Sequence, residues 1–331
     1  MQYRKLGRTD MAVSVAALGC WTLTGSDYWG EQEEVDSIAA IHTSLEAGVN
    51  LFDTAAMYGD GASESLLGKV LGSKRTQVVI ASKLFGEHLA EDRVAAACEG
   101  SLKRLKSDYL DLYQIHWPNP KIPVAETLGA MQRLQQQGKV RAIGVSNFGV
   151  AMIDEIVSAG RCESNQLAYN LLLRGIEFNI QDKCLQHDLS ILAYSPLAQS
   201  LLTGKFHSAE EVPDARARTR HFSKERPGTR HGENGCEAQT FEAIAAIRRI
   251  GERLEQPMGE LGLAWLLHRA GVASVVAGAR NGDQARRNAR AAELALSDPV
   301  IAELDRATES VKQYLGPSAD AWEPVADARI A

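Results

Sequence analysis

Several features that would narrow the function at once are missing from this sequence. No uncharged apolar run reaches the roughly 18 residues a membrane-crossing helix needs. The N-terminus, MQYRKLGRTDMAVSVAALG, holds no continuous apolar core followed by a small-residue cleavage site, so no membrane association is expected. Basic residues are not in excess: 36 Lys and Arg face 42 Asp and Glu, a net charge of −6, and the basic footprint of a nucleic-acid binder is not expected. The five cysteines, at 20, 98, 162, 184 and 236, are scattered and never spaced Cys-x-x-Cys. That pattern fits free thiols in a reducing compartment, and a cytoplasmic location is expected. None of the eight histidines falls in a His-Glu-x-x-His pattern, so no metal is expected.

What is present is length and regular alternation. A chain of 331 residues, 45% hydrophobic, can bury a large core. Runs rich in Val, Ile, Leu or Tyr recur at about 15–19, 49–53, 77–83, 109–116, 140–146, 163–169, 190–195 and 272–278, and read as strands. Between them lie helical spacings: Val35, Ile38, Ile41 and Leu45; Val94, Cys98, Leu102 and Leu105; Val124, Leu128, Met131 and Leu134. Gly48 and Gly138 follow as helix stops. Strict alternation of strand and helix implies a parallel sheet with right-handed crossovers, and eight units imply closure into a (β/α)8 TIM barrel of the α/β class. The rival, a doubly wound sheet, normally opens with a Gly-x-Gly-x-x-Gly turn, whereas here the first turn reads LGCWTLTG.

We expect one domain over 1–331, with three additions to the minimal barrel. Residues 1–14 read as a hairpin capping the barrel bottom. Residues 195–238, rich in Gly, Pro and charge, form a loop far longer than the usual connection of about two to six residues, which suggests a lid. The tail 312–331 reads either as disordered or as a cover for the barrel rim.

In such barrels active sites gather where strands end. The strand ends NLFDTAAMYG, VVIASK and LYQIHWPN supply Asp53, Lys83 and His116, with Tyr58 just beyond Asp53. An ionisable group at the end of an apolar strand costs several kcal/mol to desolvate unless paired, and Asp53 with Lys83 would form the pair. An ammonium near a phenol favours phenolate, so Lys83 is expected to lower the pKa of Tyr58 and suit it to general-acid work. Singly, each residue has a plainer reading: Asp53 as a helix cap, His116 as a satisfied core histidine, Tyr58 as a turn residue. Trp21, Tyr28, Trp29, Met57, Phe85 and Trp117 follow the first four strands on the same side and are expected to wall an aromatic substrate pocket, with core packing the alternative.

The segments Asp53-Thr-Ala-x-x-Tyr58-Gly, ASK83, QIH116WP and GVSN147F resemble the aldo-keto reductase superfamily, from Leu6 to about Asp305. The resemblance implies carbonyl reduction with hydride from NADPH (NADH being possible), Tyr58 protonating the oxygen, His116 orienting the substrate, and Asp53 and Lys83 tuning the tyrosine. It further implies that Ser146, Asn147 and Gln166 hold the nicotinamide carboxamide, that Tyr194 stacks on its ring, and that Trp21 stands beside both coenzyme and substrate. In YSPLAQSLLTGK, Ser195, Pro196, Leu197, Ser200 and Lys205 match the pyrophosphate loop. In VVAGARNGDQARRNARAA, Gly278, Arg280, Gln284 and Asn288 match the adenosine-phosphate site, and Arg280 would favour a 2′-phosphate. One departure stands out: the family usually has Glu before that asparagine, and this chain has Arg287.

Two other functions compete. A lysine at a barrel strand end can form a Schiff base in an aldolase, although a close carboxylate would keep Lys83 charged. The resemblance also reaches coenzyme-sensing β subunits of potassium channels; in those the histidine position is altered, whereas His116 is present here.

Overall fold

The structure, a computed structural model, describes residues 1–26, 28–327, 329 and 330. The chain starts with the antiparallel hairpin β1 (Tyr3–Lys5) and β2 (Ala12–Ser14), Tyr3 opposite Ser14. Eight parallel strands follow: β3 (Ala16–Gly19), β4 (Leu51–Asp53), β5 (Val79–Leu84), β6 (Leu110–Ile115), β7 (Val140–Ser146), β8 (Ser164–Ala168), β9 (Ser190–Tyr194) and β10 (Val272–Gly278). They pair in chain order and β10 closes on β3, so the barrel expected from the alternation is present. Each strand lies within two residues of its expected position.

Outside run the helices α1 (Glu34–Glu46), α2 (Ala62–Leu71), α3 (Glu91–Leu105), α4 (Val124–Gln136), α5 (Val150–Ala159), α6 (Ile180–Gln186), α7 (Glu237–Leu254), α8 (Met258–Leu267), α9 (Gly282–Ala291) and α10 (Asp298–Leu315). The apolar spacings of α3 and α4 are buried as expected. Helix α1 departs from its pattern: Val35 is exposed, and the buried face is Ser37, Ala40, Ile41 and Ser44. Small side chains there let α9 approach so closely that a Cβ on Gly282 would meet Thr43 Oγ1 at 2.8 Å. Gly48 and Gly138 end their helices with φ of +81° and +75°, where glycine is the residue without a steric penalty.

Because successive strand residues face opposite ways, one face of each strand fills the barrel. Near the strand starts the filling is apolar, with Leu51, Val79, Ala81, Leu112, Ala142 and Leu192 packed against Leu6, Met11 and Val13 of the hairpin. Arg4 ties the hairpin to the carbonyls of Val272 (2.5 Å) and Leu267 (2.7 Å). Toward the strand ends the same face turns polar.

The long segment between β9 and α7 is not a solvated flap. Leu201, Leu202, Phe206, Val212, Ala217 and Phe222 are buried within it. Buried Arg220 donates to Glu233 (2.8 Å) and to the carbonyl of Leu315 (2.9 Å), and its backbone N–H donates to Ala321 (2.8 Å). Beyond α10, Ala319 and Ala321 are buried, and Trp322 and Arg329 reach the barrel rim. Among the described residues no helix is long and apolar enough to cross a membrane.

Candidate active site

Asp53 ends β4, Lys83 lies near the end of β5, and His116 follows β6, so all three stand at one mouth of the barrel. Lys83 Nζ donates to Asp53 Oδ1 (2.6 Å), to the Thr54 carbonyl (2.9 Å) and to Tyr58 Oη (3.2 Å), which uses all three ammonium protons. The other carboxylate oxygen of Asp53 accepts from Gln166 Nε2 at 2.7 Å and Gln114 Nε2 at 3.5 Å. Gln114 has room because Gly144 on the next strand carries no side chain; a Cβ there would meet Gln114 Cγ at 3.1 Å and run into Ser164 Oγ. Asp53 caps no helix, since α2 begins at Ala62 behind Gly61. The His116 ring meets Tyr58 edge-on at 5.7 Å.

Burial alone would push the Lys83 ammonium down, but the Asp53 carboxylate, with Tyr58, overrides it and holds the group above its ordinary value. A lysine so charged and so bonded is unavailable as a Schiff-base nucleophile, which needs the free amine. Burial holds His116 well below the imidazole range, and the Lys83 charge adds to this, so its ring is neutral; its Nδ1 is buried without a partner. The expectation for Tyr58 is reversed. Burial raises its pKa above the ordinary phenol value, and the opposing pull of Lys83 is the smaller effect.

A cleft of about 840 Å³ runs from this mouth across the barrel rim to α9. It gathers nearly every other residue expected at the site: Trp21, Tyr28, Trp29, Met57 and Trp117 around Tyr58 and His116; Ser146, Asn147, Gln166 and Tyr194 beside them; Ser195, Pro196, Leu197, Ser200 and Lys205; and Gly278, Arg280, Gln284 and Asn288 at the far end. Trp21 stacks at 6.0 Å on Tyr58 and at 5.4 Å on Tyr28. Asn147 is committed at both ends, donating to the His116 carbonyl (3.1 Å) and accepting from Tyr194 Oη (2.8 Å). Phe85 lies outside the walls; half exposed, it meets the His116 ring edge-on at 6.0 Å. Lys83 lies behind Tyr58 rather than on the surface of the cleft.

Other residues belong to the site or its cleft that sequence reasoning passed over. Gln114 had a signal, since it sits two positions before His116 and shares its strand face. Arg218, over the Tyr28 ring (4.9 Å), had the basic run of the long loop as its signal; Glu260 on α8 and Trp322 and Arg329 from the tail had none, because chain-distant packing brings them there. Arg329 lies 3.9 Å over Trp117 and is anchored to Asp320 (2.8 Å). Arg280 is tethered, its Nε donating to Gln32 Oε1 at 2.7 Å and its Nη2 to the Glu31 carbonyl.

Comparison with known proteins is consistent in direction. A family model described as the aldo/keto reductase family matches residues 17–309. An aldo-keto reductase of Bacillus subtilis is 33% identical over 300 residues, spanning 86% of this chain and 86% of that protein. An NADH-specific methylglyoxal reductase of Escherichia coli is 31% identical over 319 residues, 88% of this chain and 94% of the relative. The solved structure of an aldo/keto reductase from Klebsiella pneumoniae in complex with NADP and acetate matches with a TM-score of 0.73 at 29% identity, covering 95% of this chain and 96% of that one.

Proposed function

Because the chain belongs to the aldo/keto reductase family, we propose that it reduces a small aldehyde or ketone with hydride from NADPH, Tyr58 delivering the proton. The observation that carries the reading is the Lys83 ammonium 3.2 Å from Tyr58 Oη, fixed by Asp53 and set beside a neutral His116 on the wall of the cleft.

The residues present fit a dinucleotide. The cleft volume lies in the range of about 300–1,000 Å³ usual for small-molecule sites. Ser195, Ala198, Gln199 and Ser200 all have positive φ, a strained arrangement for residues with side chains and one that gathers at ligand sites. Lys205 and Arg216 line the same stretch, and Gln199 Oε1 is buried there without a partner. At Gly278 a Cβ would meet Thr22 Cγ2 at 2.9 Å, so the wall there is bare backbone. Arg280 and Arg287 at the far end suit a 2′-phosphate.

When bound, the reduced nicotinamide supplies hydride to the carbonyl carbon. Tyr58, protonated because its pKa is high, gives its proton to the carbonyl oxygen, and the Lys83 ammonium stabilises the phenolate that remains. His116, uncharged, can donate one N–H to the same oxygen without competing as an acid. Trp21, Trp117 and Met57 offer the reacting carbon apolar walls.

The test is coenzyme oxidation against an aldehyde panel that begins with methylglyoxal, run with NADPH and with NADH, since one relative is named NADH-specific. Tyr58→Phe is expected to lower kcat by about 100-fold or more while leaving coenzyme binding intact. Wild-type turnover in the mutant would refute Tyr58 as the acid.

A further inference from the structure

The family resemblance calls for a glutamate just before Asn288, and this chain has Arg287 there. A carboxylate reaches the same wall from another helix. Glu260, in the first turn of α8, is 5% exposed, yet it lines the cleft together with Gln284, Arg287 and Asn288 of α9. Its partner among the described residues is Arg290, whose Nη2 sits 3.2 and 3.3 Å from the two carboxylate oxygens. One nitrogen shared between two oxygens leaves most of the carboxylate's roughly four acceptor sites open. Among the described residues it is the one anionic acceptor on this wall. Arg287 can only donate; Asn288 gives its amide N–H to the Gly278 carbonyl at 3.0 Å and keeps a neutral Oδ1, and Gln284 Oε1 accepts from the Arg280 N–H at 2.9 Å. Asp53, the other acidic side chain facing the cleft among the described residues, is committed to Lys83 and Gln166.

We propose that Glu260, oriented by Arg290, accepts a hydrogen bond from the exocyclic amino group of the coenzyme's adenine, in place of the carboxylate missing from α9. The inference rests on the dinucleotide reading above. An acceptor-only group selects an amino group against a carbonyl at that position, because carbonyl and carboxylate oxygens repel and neither can donate. A carboxylate close to coenzyme phosphates does not strengthen binding overall, so Glu260 governs which base is held.

The experiment titrates the whole protein with NADPH and with its hypoxanthine analogue, in which a carbonyl replaces the amino group, following fluorescence. Wild type is expected to bind NADPH about tenfold or more tightly than the analogue. In Glu260→Gln, whose amide can both donate and accept, the ratio should fall to within about twofold, and Glu260→Ala should match it. The ratio is the readout because removal of a charge alters the field felt by both nucleotides alike. A wild type that binds NADPH without discrimination, or a Glu260→Gln protein that discriminates like wild type, overturns the Glu260 assignment and leaves the coenzyme reading standing. A wild type that binds neither nucleotide overturns both.

Discussion

On the phenol of Tyr58 two forces of opposite sign meet. The Lys83 ammonium favours the anion, burial favours the neutral form, and burial is the larger. A pKa above the ordinary phenol value means that Tyr58 keeps its proton throughout the neutral range, as a proton donor in reduction must. In the reverse direction the group has to accept a proton, so only the small phenolate fraction works, and that fraction grows tenfold per pH unit below the pKa. We therefore expect kcat/KM for alcohol oxidation to climb with a slope near one in log units up to pH 10, while reduction stays flat from about pH 7 to 9. A plateau of the oxidation rate near pH 7 would mean that Lys83 wins after all. The sequence made Asp53, Tyr58, Lys83 and His116 legible because each closes or follows an apolar strand. It could not reveal the direction of the Tyr58 shift, since desolvation depends on Trp21 and neighbours that only the fold assembles.

Eight strands could be placed because each is a short, nearly continuous apolar run buried on both faces, and the hairpin because apolar runs flank its turn; both signals are written locally in the chain. The segment between β9 and α7 could not, because its partners are distant. His221 shows how it is held: Nε2 donates to the Leu172 carbonyl at 2.9 Å, which leaves Nδ1 to accept from Thr219 Oγ1 at 3.0 Å. Burial lowers its pKa from 6.5 to about 4, and His231 in the same segment is shifted the same way. An opened segment would titrate near the ordinary value, so below pH 6.5 the open form takes up a proton that the closed form refuses. Stability of the closed segment is thus fully present above 6.5 and drains away as pH falls toward 4. At pH 5 the shift at His221 favours opening by about 2 kcal/mol. Protease cleavage within 200–236, scaled to an unstructured peptide at each pH, should accelerate at least tenfold between pH 7 and pH 5. His221→Gln, which can still donate to Leu172, should remove most of that acceleration, leaving the part due to His231; acceleration equal to wild type would exclude His221 as its source.

With catalysis placed as proposed, stability and chemistry occupy opposite ends of the barrel. The polar layer of Asp53, Lys83, Gln114 and Gln166 replaces apolar packing at one mouth, and a buried ion pair is weak support for stability because desolvation offsets its attraction. The other mouth carries the compensation: Leu6, wholly buried, packs with Met11 and Val13 into the apolar strand starts. Leu6 is also held by its backbone, its N–H donating to the Met11 carbonyl at 3.0 Å and its own carbonyl accepting from Thr9, so the hairpin cannot collapse into the space a smaller side chain would leave. Leu6→Ala should therefore cost about 2–4 kcal/mol, read from the urea midpoint at unchanged slope. At 25 °C, where the protein remains folded, kcat and KM should stay within about twofold of wild type, since additivity holds for sites with no shared partners. A matched loss of activity in the folded mutant would show that the plug reaches the catalytic mouth through the strands, and that the two ends of the barrel are coupled.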